Sequence, residues 1–413
     1  MSAIDSEPGA RRISYFTLVW RELSRDRLAV AGLWSVGALF ALAVGAPLLS
    51  QNQPFLFRDG SGWSSPWLRG LFDRLVFESA VDVFFNLLLV LAPLYAVAHF
   101  TLKRALGARF DGVRKRLGLG FALGFVALFL AVTPARFAGL ENPLHYSRSV
   151  TNYRAAVAEA RAAGKSVSAV FPPHRYSFRE TNPGESLIPP NAAHWLGTDT
   201  EGRDVFARML YGARISLSIG VVAVGLYVLI GIVIGALAGY FGGWVDMVLS
   251  RLIEIMICFP TFFLILTLAA LIEERSIFHV MLIIGVTSWT SVARLVRAEF
   301  LKHKGLEYAQ AARALGIPVH RIIFGHILPN ASAPVLVSAT FGVASAILIE
   351  SSLSFLGIGD PTVPSWGETL NAGRMDQQLW LILAPGLAIF FVVTVFNLIG
   401  EGLRDALDPK LRR

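Results

Sequence analysis

Charge is scarce in this sequence, and cysteine is all but absent. Of 413 residues only 16% are Asp, Glu, Lys or Arg, while 54% are hydrophobic and the mean hydropathy is +0.57. A soluble chain of this length needs a larger charged fraction to cover its surface, so the composition points to an integral membrane protein. The single cysteine, Cys258, excludes an intramolecular disulfide and a cysteine-built metal cluster. Its apolar neighbours predict an inert, buried thiol. No cleavable leader is expected either. Arg11, Arg12, Arg21, Arg25 and Arg27 precede an apolar run of full membrane length, which should remain as an anchor. Strict polar alternation is missing from the apolar runs, which argues against barrel strands. There is no internal repeat and no low-complexity tract.

What is present is a series of long apolar runs. A helix needs about 20 mainly apolar residues to cross the hydrocarbon. Runs at 28–49, 83–102, 117–135, 214–238, 250–272, 277–295, 332–356 and 379–400 satisfy this. The expected fold is all-α, a polytopic integral membrane helical bundle of about eight transmembrane helices. The net charge of +8 fits basic cytoplasmic loops better than nucleic-acid binding, which is not expected. Segment 103–116 carries Lys103, Arg104, Arg109, Arg114, Lys115 and Arg116 against one acid, Asp111, and should face the cytoplasm. Counting outward from it puts both termini and 296–331 inside, and 50–82, 136–213 and 357–378 outside. The basic residues Arg404, Lys410, Arg412 and Arg413 in the tail, and the acidic pair Glu273 and Glu274 in an outer turn, agree with that count.

Few segments suggest chemistry. Gly164-Lys165-Ser166 copies the end of a phosphate-binding loop, but its first glycine would fall at Glu159, and no strand precedes it. The histidines show no metal-ligand spacing: His303, His320 and His326 fall in the inner loop, while His145, His174 and His194 are scattered outside. No Ser/His/Asp set suggests nucleophilic catalysis. In the stretch 196–204, Gly197, Thr198, Asp199, Gly202, Arg203 and Asp204 have the composition of capped turns, with a ligand role for Asp199 or Arg203 as the alternative. Gly231, Gly235 and Gly239 recur every four residues on one helix face, which permits close helix packing or, alternatively, contact with a partner. Arg251 and Glu254 are spaced to pair with each other. Glu350, followed by Ser351, is an ionisable group within a span and so a candidate for the transport path or a subunit interface.

The most telling stretch is 307–330, EYAQAARALGIPVHRIIFGHILPN, polar and basic between two spans. It predicts a helix over 299–315, a left-handed turn at Gly316, and a second helix from Pro318 that stops near Pro329. Two short helices around a glycine suggest a DNA-reading pair, but both ends are tied into the membrane. A linker helix lying on the bilayer is the bland alternative. Small side chains favour close approach by another protein.

Here the pattern becomes specific. Residues 310–330 resemble the coupling loop of ABC importer permeases, EAA, three residues, glycine, nine residues, then I-x-LP. Gln310, Ala311, Ala312, Gly316, Leu328 and Pro329 align in register; Gln310 replaces the family's Glu and His326 its Ile. WLGTDTEGRDVFARMLYGARISLSIG (195–220) is similar to the segment before a membrane helix in peptide and nickel importer permeases. Segments 239–260 and 348–374 match that branch in character. The likeness covers about 190–408 and the first span, and is closest to the second-type subunit of oligopeptide and dipeptide importers.

The resemblance implies three regions: 1–50 with the first span, an inserted 51–190 with two extra spans and an external loop, and a permease domain over 191–413. It implies a second permease subunit in a heterodimer, two cytoplasmic ATPases and an external solute-binding protein as partners, with the lipid bilayer around them. The expected location is the bacterial cytoplasmic membrane. No cofactor is expected on this chain, and ATP and Mg would be used by the ATPases. The chain itself is then not an enzyme. An ion-coupled secondary carrier and a non-transporting assembly protein are the rival classes; peptides are the expected cargo and nickel the alternative.

Overall fold

The computed structural model describes residues 15–59, 62–73, 76–107, 110–137, 152–164, 166–273 and 275–407. Arg11, Arg12, Arg109, His145, Lys165, Glu274, Lys410, Arg412 and Arg413 lie outside the described residues. An amphipathic helix α1 (Tyr15–Leu23) leads into α2 (Arg27–Val44), capped by the Asp26 carboxylate, and a short α3 (Ala46–Leu49). Strands β1 (Leu56–Asp59) and β2 (Gly62–Ser64), then α4 (Pro66–Gly70), precede the long helices α5 (Ala80–Leu106) and α6 (Phe110–Phe137). Helix α7 (Tyr153–Ala162) and β3 (Ser168–Val170) follow. The permease region then contributes α8 (Val205–Phe241), α9 (Gly243–Cys258), α10 (Thr261–Ala270), α11 (Ile277–Thr287), α12 (Thr290–His303) and α13 (Glu307–Ala314). After it come α14 (Val319–Arg321), a π-helical turn at Ile322–Ile327, α15 (Leu328–Ala331), α16 (Ala333–Phe355), α17 (Trp366–Asp376) and α18 (Leu379–Leu407).

Seven helical segments among the described residues are long and apolar enough to cross a membrane, with α11 and α12 counting as one. An eighth span forms if α9 and α10, bent by 78°, are taken together. The expected count of eight is therefore met, but the run at 250–272 is not one straight rod. Pro260 explains this: it cannot donate into the helix, and it drives Phe259 to an extended ψ of 129°. Cys258 sits at that break and is exposed, not buried as its apolar neighbours suggested. A small antiparallel sheet, in the order β2-β1-β3, was also not anticipated. Leu56 stands opposite Val170 and Arg58 opposite Trp63, while Phe57 packs edge-on against Tyr153 of α7.

Helix α8 is the axis of the molecule. Its 37 residues give it a length of about 55 Å, well beyond a hydrocarbon core of about 30 Å. It packs along α12 through the glycine stripe. A Cβ on Gly231 would lie 2.7 Å from Val292 Cβ, one on Gly235 2.4 Å from the Ala293 carbonyl oxygen, and one on Gly239 2.6 Å from Phe300 Cβ. The stripe is thus covered by the chain's own α12. This is the close helix packing that the spacing permits.

Helix α5 is fastened to this axis at its N-terminal end. Arg214 is fully buried, and its Nε donates to the Ala43 carbonyl at 2.7 Å while Nη1 meets Asp82 Oδ1 at 3.1 Å. Asn86 Nδ2 donates to the Leu71 carbonyl at 2.7 Å, and Tyr211 Oη to Ser50 at 3.0 Å. The close approach along α8 yields a direct test. Gly235→Val forces a branched side chain into a backbone carbonyl, a cost of roughly 3 kcal/mol. Gel filtration of detergent extracts should show loss of the monodisperse peak, while Gly225→Val, which meets nothing within 4 Å, should keep it.

Candidate functional site

The inner loop is built from a welded face and a free face. Ala309 and Ala312 are 2% and 5% exposed and join the main apolar core. Between and beyond them Gln310, Ala311, Arg313 and Gly316 are exposed, and Leu315 reaches 80% exposure. Gln310 Nε2 donates to the Gly305 carbonyl at 2.9 Å, and the Arg313 guanidinium lies 5.4 Å from the ring centre of Tyr240. Gly316 takes the left-handed turn expected of it, with φ at +70°, and nothing lies near the space its side chain would fill. The helix expected over 299–315 is interrupted: α12 ends at His303, and α13 starts afresh at Glu307 after an extended Leu306. Glu307 in its first turn complements the positive end of the helix dipole. The second helix ends at Ala331, two residues past Pro329, as expected; Pro329 falls in the first turn of α15, and Leu328 packs partly against the core.

The outer motif forms a second constellation, which joins α8 to α17. Gly197 and Gly202 have φ of +78° and +70°, so the chain folds back sharply around Asp199. Asp199 Oδ1 accepts from the Arg203 backbone N–H at 2.9 Å, and Oδ2 accepts from Arg203 Nε at 2.7 Å. Arg208, buried one turn into α8, pairs with Glu368 of α17 and lies 3.8 Å from Asp199. Burial alone would lower the pKa of the Arg203 guanidinium, but Asp199 and Glu368 outweigh it and hold it above its ordinary value. Trp366 Nε1 donates to the Met209 carbonyl, and Trp380 Nε1 to that of Thr198. Thr198 Oγ1 in turn accepts from the Ile188 N–H at 2.8 Å. Asp204 caps α8 by accepting from the Ala207 N–H at 2.8 Å. Capping is therefore what both aspartates do, and no opening reaches them, since each is at most 2% exposed.

Glu350 lies beneath α17, 1% exposed. Its Oε1 accepts from Ser354 at 2.8 Å and from Ser365 at 2.7 Å, so it ties α16 to the start of α17. Ser351 is buried beside it, at 5% exposure. Within this chain the pair is packed between α16 and α17. Arg251 and Glu254 pair with each other as expected, at 2.8 Å and largely exposed.

Two features escaped the sequence reading. Helix α17, within the 357–378 segment, was not anticipated, although Ser365, which accepts from the Gly367 N–H at 3.1 Å, is an ordinary N-cap signal. His174 and His194, which seemed scattered, converge on Asp204, each with a ring nitrogen 2.8 Å from a carboxylate oxygen. No spacing rule could have found them, because three separate segments bring them together.

Residues 231–413 match the family described as binding-protein-dependent transport system inner membrane component, and residues 14–60 match the N-terminal TM domain of oligopeptide transport permease C. A dipeptide transport system permease protein of Alkalihalophilus pseudofirmus is 44% identical over 57% of this chain and 78% of its own length. The chain belongs to the binding-protein-dependent transport permeases. Other relatives of this permease include a glutathione transport system permease protein of Pectobacterium atrosepticum, 41% identical over 54% of this chain and 75% of the relative. An oligopeptide transport system permease protein of Bacillus subtilis is 38% identical over 59% of this chain and 82% of its own. The permease is thus the membrane component of an ABC importer, a multi-pass inner-membrane protein. It is a transport subunit and not an enzyme; ATP hydrolysis belongs to a separate chain, and an ATPase and a substrate-binding protein are its partners.

The outer ion-pair cluster can be tested on stability. Glu368→Gln leaves the buried Arg208 charge with only the more distant Asp199, a loss of about 3 kcal/mol. Thermal unfolding in detergent should move down accordingly, and adding Arg208→Met to that variant should restore part of the loss.

Proposed function

We propose that this permease carries peptides inward by alternating access, driven through the loop at 307–316 by ATPases on the cytoplasmic side. The observation that carries the reading is the two-faced α13. One side, Ala309 and Ala312, is packed into the bundle, and the other presents Gln310, Ala311, Arg313 and Leu315. A short helix fixed on one side and free on the other transmits a push to the spans it is packed on. It reaches them by two routes, α12 on one side and the π-helical turn with α15 and α16 on the other. Gln310, Ala311, Ala312 and Gly316 are the contact residues in this reading; Leu328 and Pro329 anchor the return to the membrane.

Basic loops put both termini and α13 in the cytoplasm. The full assembly is then a heterodimer of this subunit with a second permease, two ATPases beneath it and the solute-binding protein outside. ATP and Mg are held by the ATPases, with no cofactor on this chain. The division into a first span over 1–50, an insertion over 51–190 and a permease domain over 191–413 goes with it. Relatives named for dipeptide, oligopeptide and glutathione transport favour peptides over nickel as cargo. Co-purification tests the assembly: an ATPase chain should travel with the tagged permease, and its absence from intact complexes would exclude the reading. Gly316→Val puts a branched residue at φ +70°. In proteoliposomes it should leave assembly and ATP hydrolysis largely intact while uptake falls at least about tenfold, a change of about 1.4 kcal/mol in coupling. Normal uptake by this variant would count against the mechanism.

A further inference from the structure

We propose that His174 and His194 are positioning residues that form a proton-sensitive clasp on Asp204, through which the inserted outer region holds the leading end of α8. Both histidines lie between the two family-matched stretches, 14–60 and 231–413. Asp204 Oδ1 lies 2.8 Å from His174 Nε2, and Oδ2 lies 2.8 Å from His194 Nδ1. All three residues are at most 2% exposed.

Each arm of the clasp comes from a different part of the chain. His174 belongs to the inserted region and is joined by backbone bonds to the end of the first span: its N–H donates to Leu49 at 3.0 Å, and its carbonyl accepts from Gln51 at 3.2 Å. The His194 N–H is fixed by the Asn191 carboxamide at 2.9 Å. Asp204 is the cap of α8. Releasing the clasp therefore removes the tie at the N-cap of the longest helix, leaving Arg214 and Tyr211, further along it, to hold α8 to the first span and to α5.

The chemistry is suited to proton control. His194 faces two acids, with Nδ1 on Asp204 and Nε2 3.5 Å from Glu185 Oε2. Nδ1 is within hydrogen-bond reach of Asp204, while Nε2 has no hydrogen-bond partner and stands at ion-pair distance from Glu185, so a charge on the ring is attracted by both acids. His174 adds a second imidazole to the same carboxylate, at ion-pair distance but without hydrogen-bond alignment of Nε2, so its contact with Asp204 gains most when the ring carries charge. The other groups around the site are few. The Tyr176 ring stacks 4.2 Å from His194 and 5.2 Å from His174, with the Arg154 guanidinium of α7 on it at 3.9 Å. Arg154 is itself paired with Glu180, and Trp195 and Phe206 close the remaining side with uncharged rings. Imidazole is the side chain that changes charge between about pH 5 and 8. Protonation tightens the clasp, and the tie loosens as pH rises and the rings lose their charge.

Distance measurement on the whole chain tests this. With Cys258→Ser as background, spin labels at Glu159→Cys on α7 and Glu201→Cys in the outer loop report the insertion against the core; both positions are exposed. A single narrow distance is expected at about pH 5, broadening at about pH 8, with His174→Gln and His194→Gln giving the broad form at both. Wild-type distances that do not change with pH, or glutamine variants that respond as wild type does, would overturn the clasp. The wild-type titration decides even where a variant fails to fold. A second arm rests on the permease reading: uptake by the reconstituted complex should lose its pH dependence in His174→Gln while ATP-independent assembly persists. A pH-dependent distance without any uptake would instead weigh against the permease reading and leave the clasp standing.

Discussion

The close contact between α8 and α12 is the constraint on which the rest of the structure depends. Three glycines at spacing four remove every Cβ from one face of α8, so that the backbone and Cβ atoms of α12 occupy the space. In a bilayer, where lipid tails are as apolar as leucine, such packing is what holds two helices together. The seam has a functional consequence. Helix α12 leads through a short break into α13, so the loop at 307–330 is held against the axis of the bundle by these close contacts.

At the opposite end of the same axis, charge takes over from packing. Arg214, Arg208 and Asp204 lie on or just before the first turns of α8, and each reaches a different neighbour: the first span with α5, the outer helix α17, and the histidine pair. Buried charges of this kind are costly unless fully paired, and here each has partners drawn from distant parts of the sequence. Helix α5 is therefore joined to α8 by buried contacts at its N-terminal end, while α6 packs mainly against α5. One long helix thus carries glycine contacts in its inner half and ion pairs in its outer part, an arrangement that lets motion at one end be felt at the other.

Much of this was readable from residue order, and the exceptions have physical causes. Apolar run length located every span, and the turn at Gly316 followed from its place after an alanine-rich helix. The kink at Pro260 was overlooked because hydropathy does not register a missing N–H. Helix α17 was overlooked because its signal is a local serine cap in a polar stretch, with no apolar periodicity to attract attention. Glu350 stood out by its depth in a span, but that the serines of its own helix and of the start of α17 shelter it is a tertiary fact that depth does not encode. The approach of His174 and His194 to one aspartate is tertiary, and no local pattern encodes it.

The elbow between α9 and α10 has one more implication. A helix that ends leaves its last carbonyls without amide donors, and hydrocarbon supplies none. At this elbow Phe259 and Pro260 are uncovered by the rest of the chain. Acyl tails are therefore unsuitable neighbours there, and the bend belongs against a foreign protein surface or a wet crevice. That makes it a marker for where this subunit ceases to be surrounded by lipid.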